Sequence, residues 1–363
     1  MGHRVNREEF LNTLHRVSPG LSKRGTIAQS SCFVFADGWI TTFNEEICCR
    51  SPSGLPDDLT AAVQADPLLR WVDAVGEPEL EISTTTREFQ VRAGRKKTGI
   101  RMEAEIVLPI DDVELPDSWQ PLPDDWTRGV EQVMGTAGGA DSDFMVRCVH
   151  IHPDYVEACD RKHATRYHVK TPVDEAFLVL ATTIGHTINL DLTKIGQTGD
   201  WVHLRNKLLI FSCRRHLEQY PTDGVTEMLK FRGESATLPK GAEIAAKLAG
   251  IFTADNKTDA RVSVKLSDGR MTIRGDGSQG WASDDIDTAY HGDPVIFRIS
   301  PDHLIRLVKN HSACELSSTR LRIVGDNWSY LTVLGKADAG EPVAVTVPAA
   351  DDEPVDEEAN EDE

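Results

Sequence analysis

Apolar positions near the N-terminus follow first a helical spacing and then a strand spacing. Asn6 and Glu9 form a start typical of a capping box, and the helical face that follows consists of Phe10, Leu11, Leu14 and Val17. Residues 31–43 (SCFVFADGWITTF) have the pattern of two strands joined by an Asp-Gly turn. This stretch therefore predicts a helix followed by a β-hairpin.

The same order returns twice along the 363 residues. A helical spacing precedes a strand–turn–strand pattern at 144–158 and again at 261–274. The helical positions are Trp126, Val130 and Val133 in the second copy and Ile244, Leu248 and Ile251 in the third. The turn aspartates Asp37, Asp154 and Asp268 lie 117 and 114 residues apart. Such a period indicates tandem domains.

Each copy also predicts a second helix and a further group of strands. The helix starts are Asp66-Pro67, Thr171-Pro172 and Ser300-Pro301, where a capping side chain precedes a proline at the first helical position. The apolar positions that follow are Leu68, Leu69, Val72; Ala176, Phe177, Leu180; and Leu304, Ile305, Val308. Strands are expected at 79–84 and 88–93, near 189–192 and 201–212, and at 314–315, 320–324 and 330–333.

These elements predict an α+β architecture in which each domain packs two helices on antiparallel sheets. The expected domains are 1–115, 116–235 and 236–335. Residues 336–363 are expected to form a linker and a disordered acidic tail, because 351–363 contain nine acidic residues and no Lys or Arg.

Composition places the chain among globular proteins but argues, at first sight, against a nucleic-acid partner. The formal net charge is −19, and a protein of that charge repels polyanions. Removing the tail leaves −10 on the first 350 residues. No apolar run reaches membrane-spanning length, no signal region is evident, and the seven cysteines show no framework spacing. These features favour a protein of the reducing cytoplasm with no membrane association.

Four stretches resemble the bacterial DNA polymerase sliding clamps, the beta clamps, over about residues 5–335. They are 14–24 (LHRVSPGLSKR), 89–95 (FQVRAGR), 211–221 (FSCRRHLEQYP) and the last predicted strand, 330–334 (YLTVL). The resemblance implies a head-to-tail homodimer whose six domains close into a ring, with helices inside and sheets outside. It implies a processivity factor for DNA replication that encircles duplex DNA without reading its sequence and tethers the replicative DNA polymerase. Such a protein is not an enzyme, uses no cofactor, and needs a separate ATP-dependent clamp loader in a bacterial cell or a phage-infected host.

A sliding ring must contact phosphates without reading bases, so Lys and Arg on the helices are the candidate DNA-binding residues. They are Arg7, Arg16, Lys23, Arg24, Arg70, Arg128, Lys240, Lys247, Arg306 and Lys309. Lys23 and Arg24 match the DNA-contacting loop of the family. The alternative for each of them is an ordinary solvated surface residue.

The family also binds short apolar peptides of its partners in a groove beside the last two domains. The matching positions are Ala164, Phe177, Pro221, Val225, Leu331 and Val333, with ordinary core packing as the alternative. Residues 159–164 (CDRKHA) depart from the family's Thr-Asp-Gly pattern, and the acidic tail extends beyond the family's usual end. The tail either masks a binding site or only adds solubility.

Other functions remain open. The ring could serve as a scaffold for transcription or repair factors. A metal-dependent hydrolase could use Cys148, His150, His152, Cys159, His163 and His168, although their spacing fits no common zinc module. Residues 275–280 (GDGSQG) match G-x-G-x-x-G but lack a following helix, which favours a flexible loop over a dinucleotide site.

Overall fold

The computed structural model of the protein describes residues 2–22, 24–25, 27–254 and 260–336. The α-helices in this part of the chain are α1 (Arg7–Val17), α2 (Ala65–Ala74), α3 (Trp126–Met134), α4 (Ala181–Ile184), α5 (Thr222–Leu229), α6 (Ala242–Thr253) and α7 (Pro301–Asn310). Short 3₁₀ turns cover Ser18–Gly20, Ile110–Asp112, Phe144–Arg147 and Gly185–Asn189.

The strands follow the same repeating order. The first twelve are β1 (His3–Asn6), β2 (Cys32–Ala36), β3 (Trp39–Phe43), β4 (Ile47–Pro52), β5 (Ala61–Gln64), β6 (Glu79–Thr84), β7 (Glu88–Ala93), β8 (Lys96–Arg101), β9 (Gln120–Pro121), β10 (Cys148–His152), β11 (Tyr155–Cys159) and β12 (His163–His168). The others are β13 (Phe177–Leu180), β14 (Lys194–Thr198), β15 (Trp201–Arg205), β16 (Ile210–Arg214), β17 (Glu234–Thr237), β18 (Val262–Ser267), β19 (Arg270–Gly277), β20 (Gly280–Asp287), β21 (Val295–Ile299), β22 (Ala313–Leu316), β23 (Arg320–Val324) and β24 (Trp328–Val333).

The described residues divide into two compact units, one within 1–158 and 166–218, the other within 159–165 and 219–336. In the first unit, an eight-stranded antiparallel sheet has the order β5-β2-β3-β4-β16-β15-β14-β9. It joins the first repeat to the second through β4 and β16, where Arg50 pairs with Ile210. A four-stranded sheet has the order β1-β6-β7-β8, and β10 pairs with β11 and β13.

The second unit contains a sheet of order β20-β19-β18-β21 and the strands β24-β23-β22-β17. Its core lies between these strands and helices α6 and α7, and includes Phe297 and Leu304. Helix α6 packs directly on β19. A Cβ atom at Gly275 or Gly277 would collide with the α6 carbonyl oxygens of Ala249 and Phe252. The two glycines therefore permit the close approach of the helix to the strand.

The predicted α+β class with antiparallel sheets is confirmed, and so are most of its elements. Strands β6, β7 and β23 begin and end where the pattern predicts. Asp37 and Asp268 adopt positive φ angles of 50° before glycines, as the predicted Asp-Gly turns require. The strand expected near 189–192 lies instead at β14, and the run 201–212 contains two strands, β15 and β16. The boundaries at 115, 235 and 335 stay a prediction, and the predicted tail lies outside the described residues apart from Lys336.

The predicted helix caps have mixed outcomes. The Asn6 side chain accepts a hydrogen bond from the Glu9 amide at 3.1 Å, and Ser300 does the same for His303 at 3.2 Å, so both caps are confirmed. Asp66 is not a cap, because α2 begins one residue earlier, at Ala65. The helix predicted to start at Thr171-Pro172 is absent, since residues 171–176 are not helical. Its predicted apolar face is strand β13, whose register on β10 buries Phe177 from within a sheet.

The apolar face predicted for α6 is the wrong one, although the helix itself is confirmed. Ile244, Leu248 and Ile251 are exposed by 63%, 48% and 63%, whereas the buried residues of the helix are mainly alanines. Because α6 approaches the glycines of β19 so closely, its inner face accepts only small side chains. The larger apolar residues therefore face outward.

Candidate nucleic-acid interface and partner surface

Helix α1 holds two of the predicted DNA-binding arginines in partly buried positions. Arg7 donates from Nη1 to the Val72 carbonyl at 3.2 Å, and Arg16 donates to the Ser51 hydroxyl at 3.4 Å. Burial lowers the pKa of the Arg16 guanidinium from its ordinary value. Both contacts tie α1 to neighbouring elements, so these two arginines serve the fold whether or not they meet a phosphate.

The other predicted cations of the first unit are exposed. Arg24 lies in the loop after α1, and Arg128 projects from α3. Arg70 forms a solvent-exposed i,i+4 pair with Asp66 at 3.3 Å, which water and salt screen strongly. Lys23, the other cation predicted in this loop, lies outside the described residues.

In the second unit the predicted cations lie on or beside helices α6 and α7. Lys240, Lys247 and Arg306 are exposed. Lys309 pairs with Glu243 of α6 at 3.1 Å, so part of its charge is neutralised. Exposed lysines and arginines on helices can contact phosphates as diffuse charges, and this arrangement suits binding that is independent of base sequence.

The residues predicted for the partner groove are mostly buried. Ala164, Phe177, Val225 and Leu331 are at most 2% exposed, and Pro221 and Val333 are half-buried. All but Phe177 belong to the second unit, where the Val333 amide donates to the Lys162 carbonyl at 2.8 Å. Phe177 lies on strand β13 and not on a helix, contrary to prediction.

Beside these residues, four side chains form a hydrogen-bonded series that the sequence did not predict. Asp160 accepts from His163 Nδ1 at 2.7 Å, His163 Nε2 faces His303 Nδ1 at 3.4 Å, and His303 Nε2 meets the Tyr330 hydroxyl at 2.6 Å. Burial, then the charges of His163 and Arg306, lower the pKa of His303 to about 3. Burial also raises the pKa of Tyr330.

These hydrogen bonds orient Tyr330 and His163. Each of the two residues directly precedes a predicted groove position. The sequence showed Asp160 and His163 three residues apart. It offered no signal for His303, which lies 140 residues further along and reaches His163 only through the fold.

The histidines and cysteines proposed for a metal site do not converge. In the described part of the chain, no group of three or more His, Cys, Asp or Glu side chains is arranged to hold a metal ion. His150 instead pairs with buried Glu157 at 2.9 Å, and Glu157 also accepts from Arg166 at 2.7 Å. Burial raises the pKa of the Cys148 thiol to about 12, which makes the thiol a poor metal ligand or nucleophile.

Residues 275–280 form neither a dinucleotide site nor the predicted flexible loop. They are the tip of the β19–β20 hairpin, and Gly277 pairs with Gly280. Across the described residues, no helix has both the length and the apolar content needed to cross a membrane.

The fold can be compared with solved structures. A DNA polymerase sliding clamp from Pseudomonas aeruginosa aligns over 93% of this chain and 100% of its own, with a TM-score of 0.80 and 13% identity. The DNA polymerase III beta subunit of Thermotoga maritima aligns over 92% of this chain and 98% of its own, with a TM-score of 0.77 and 14% identity. A sliding clamp from Bacillus subtilis gives the same four values.

The chain has the fold of the bacterial DNA sliding clamps. The match extends over nearly the whole of both chains and not over one part alone. No protein-family model matches the sequence, and no curated protein does either. At 13–14% identity the likeness concerns the fold.

Proposed function

We propose that this protein is a DNA sliding clamp, a processivity factor that encircles duplex DNA and tethers the replicative DNA polymerase. The observation that carries the proposal is the end-to-end correspondence of the fold, with TM-scores of 0.77–0.80 over 92–93% of the chain. On this proposal the three repeats are three clamp domains with boundaries near 115, 235 and 335. The protein has no catalytic role, acts in the cytoplasm, and depends on an ATP-dependent clamp loader. Nothing in the described residues favours a hydrolase or a transcription scaffold.

Self-association into a ring needs two different surfaces on each chain, and two open sheet edges supply candidates. Among the described strands, β8 pairs only with β7 and β20 pairs only with β19, so each forms a sheet edge. An edge of this kind is a template for a strand of another chain. Two unlike edges that pair between chains give a head-to-tail contact, which closes a ring when the rotation permits.

The side chains on these two edges carry opposite charges. Lys96, Lys97 and Arg101 are exposed on β8, and Asp284, Asp285 and Asp287 are exposed on β20. The outward apolar face of α6, formed by Ile244, Leu248 and Ile251, belongs to the same sheet-and-helix layer as β20. We infer that β8 of one chain meets β20 of the next, with the α6 face buried beside this contact.

The DNA proposal assigns the exposed cations to the inner surface of that ring. Arg24, Arg128, Lys240, Lys247 and Arg306 are the strongest candidates among the described residues, because they are exposed and not tied to the fold by a contact of the kind that holds Arg7 and Arg16. A net charge of −19 does not oppose this role, since a ring holds DNA by enclosing it and needs only local positive charge.

Retention on DNA with blocked ends tests the proposal without a clamp loader. A duplex is anchored to a bead at one end, the protein is allowed to thread on from the other, and that end is then blocked or left free. We expect the protein to survive a high-salt wash only on the blocked duplex, because a ring leaves by sliding and not by dissociation. Equal loss from both duplexes would contradict the proposal.

Charge-reversed variants in the same assay test which surface of the protein contacts DNA. The combination Arg24→Glu, Lys240→Glu and Lys247→Glu should reduce threading at least tenfold at low salt. The matched control reverses Lys265 and Arg270, which are exposed on strands β18 and β19. Equal effects of the two sets would argue for general charge and against a DNA-facing helix surface.

A further inference from the structure

One face of the eight-stranded sheet in the first unit carries an open groove that contains none of the residues assigned to DNA or to the predicted partner groove. Two cavities of about 420 and 270 Å³ lie on either side of Trp39 and share Ile210 as part of their lining. Trp39 is 37% exposed, and Leu115 at the far end is 38% exposed. Both cavities lie within this unit, between strands β3, β4 and β14–β16 and the connector that follows β8.

The floor of the groove is fixed by strand register. Thr41, Arg50, Ile210, Arg205 and Lys194 are successive cross-strand partners on five neighbouring strands, so their side chains share one face of the sheet. The two arginines of this row are already engaged. Arg50 donates to the Ile110 and Val113 carbonyls at 2.6 and 3.3 Å, and the Arg205 guanidinium stacks on Trp119 at 4.1 Å.

Charge is distributed unequally along the groove. The larger cavity is lined by Lys194, Lys207 and Arg205 and by no acidic residue, in a protein whose charge is strongly negative. Both lysines are exposed, and neither has a carboxylate partner within the described part of the chain. The smaller cavity contains Asp37 and Asp111. The groove thus has a positive end, an aromatic centre and an end with two carboxylates.

We propose that this groove binds a short, extended peptide of another protein that is acidic at one end and carries a large apolar side chain. Its carboxylates would lie beside Lys194 and Lys207, and the apolar side chain would pack on Trp39 and Ile210. An apolar contact flanked by complementary charge gives both affinity and direction to such a peptide. The proposal does not rest on the clamp function, because none of these residues belongs to the DNA-facing set.

The groove beside Trp39 differs in accessibility from the residues predicted for the partner groove. Ala164, Val225 and Leu331 of that predicted groove are buried, whereas Trp39 and Leu115 are open to solvent. The groove beside Trp39 therefore offers apolar surface to a partner without prior rearrangement.

Selection from a phage-displayed library of random twelve-residue peptides tests the proposal on the full chain. Binders are collected on the wild-type protein and counter-selected on a Lys194→Glu, Lys207→Glu variant whose thermal melting matches the wild type. We expect the surviving peptides to be acidic and to contain an aromatic or large aliphatic residue. Their affinity should fall at least tenfold in the lysine variant and at least tenfold in Trp39→Ala, and change less than twofold in the control Lys265→Glu, Arg270→Glu, which reverses two exposed cations of the second unit.

Several results would overturn the proposal. They are the absence of any peptide that distinguishes the two proteins, a basic or purely apolar consensus, and loss of the peptide in the presence of duplex DNA that binds the same lysines. A tenfold gain in peptide affinity on deletion of residues 337–363 would assign the groove to the chain's own acidic segment and so would also overturn it. Retention on end-blocked DNA tests the clamp role separately, because that role is assigned to other residues.

Discussion

Helices α1 and α6 occupy the same place in the first and third repeats, yet they turn their large apolar residues in opposite directions. In α1 the residues Phe10, Leu14 and Val17 are buried. In α6 the inner face consists mainly of alanines, and Ile244, Leu248 and Ile251 face outward. The difference originates in the partner strand, because Gly275 and Gly277 of β19 bring α6 too close for larger side chains. A helix packed by alanine against glycine keeps its large apolar residues for another surface.

Truncation of one leucine on each helix should give the largest difference in stability between the variants. Leu14→Ala should lower the free energy of unfolding of the first unit by about 2–5 kcal/mol, because the side chain is fully buried. Leu248→Ala should change the stability of the single chain by less than about 0.5 kcal/mol. Urea denaturation at concentrations where the chain is monomeric measures both. Equal losses would mean that the outward face of α6 is part of a core.

The close approach of α6 to β19 can be tested by adding one methyl group. Gly275→Ala should cost about 1–3 kcal/mol, since the new Cβ meets the Ala249 carbonyl oxygen. Gly76→Ala is the matched control, because open space surrounds that glycine. Its stability should be unchanged or slightly higher. Thermal unfolding of both variants decides, and a neutral Gly275→Ala would remove the explanation for the alanine face.

Changes at the helix starts should give the smallest difference in stability. Asn6 caps α1 through its side chain, whereas α6 begins after Gly241 without a side-chain cap. Asn6→Ala should therefore cost about 1 kcal/mol, and Asn12→Ala on the exposed face of α1 should cost nothing or stabilise slightly. Urea midpoints of the two variants measure the difference. An Asn6→Ala midpoint equal to that of Asn12→Ala would show that the cap adds nothing.

The sequence pattern predicted the positions of the helices and strands better than the contacts that they make. Periodicity located α1, α3, α6 and α7 because a helix repeats its apolar positions whichever partner it meets. It chose the wrong face of α6, since the packing distance is set by glycines more than twenty residues away along the chain. It also predicted a helix around Phe177, where β-sheet pairing with β10 prevails over a short apolar run that fits either structure.

The candidate sites also differ in how far the sequence could predict them. The cations on helices could be listed from the sequence because exposure on a helix follows from its spacing. The chain of Asp160, His163, His303 and Tyr330 could not be found, because its members come from separate segments that only the fold brings together. The groove beside Trp39 was also missed, since its walls come from two repeats and a connector, and each wall alone has an ordinary strand pattern.

Single-particle electron microscopy of the full chain shows whether two chains close into a ring. We predict closed rings whose mass is about twice the 40.1 kDa of one chain, with β8 of each chain beside β20 of the other. A variant with Ile244, Leu248 and Ile251 changed to serine should yield single, open chains under the same conditions. Wild-type particles that remain single chains at micromolar concentration, with no ring among them, would show that this protein is not a ring-forming clamp.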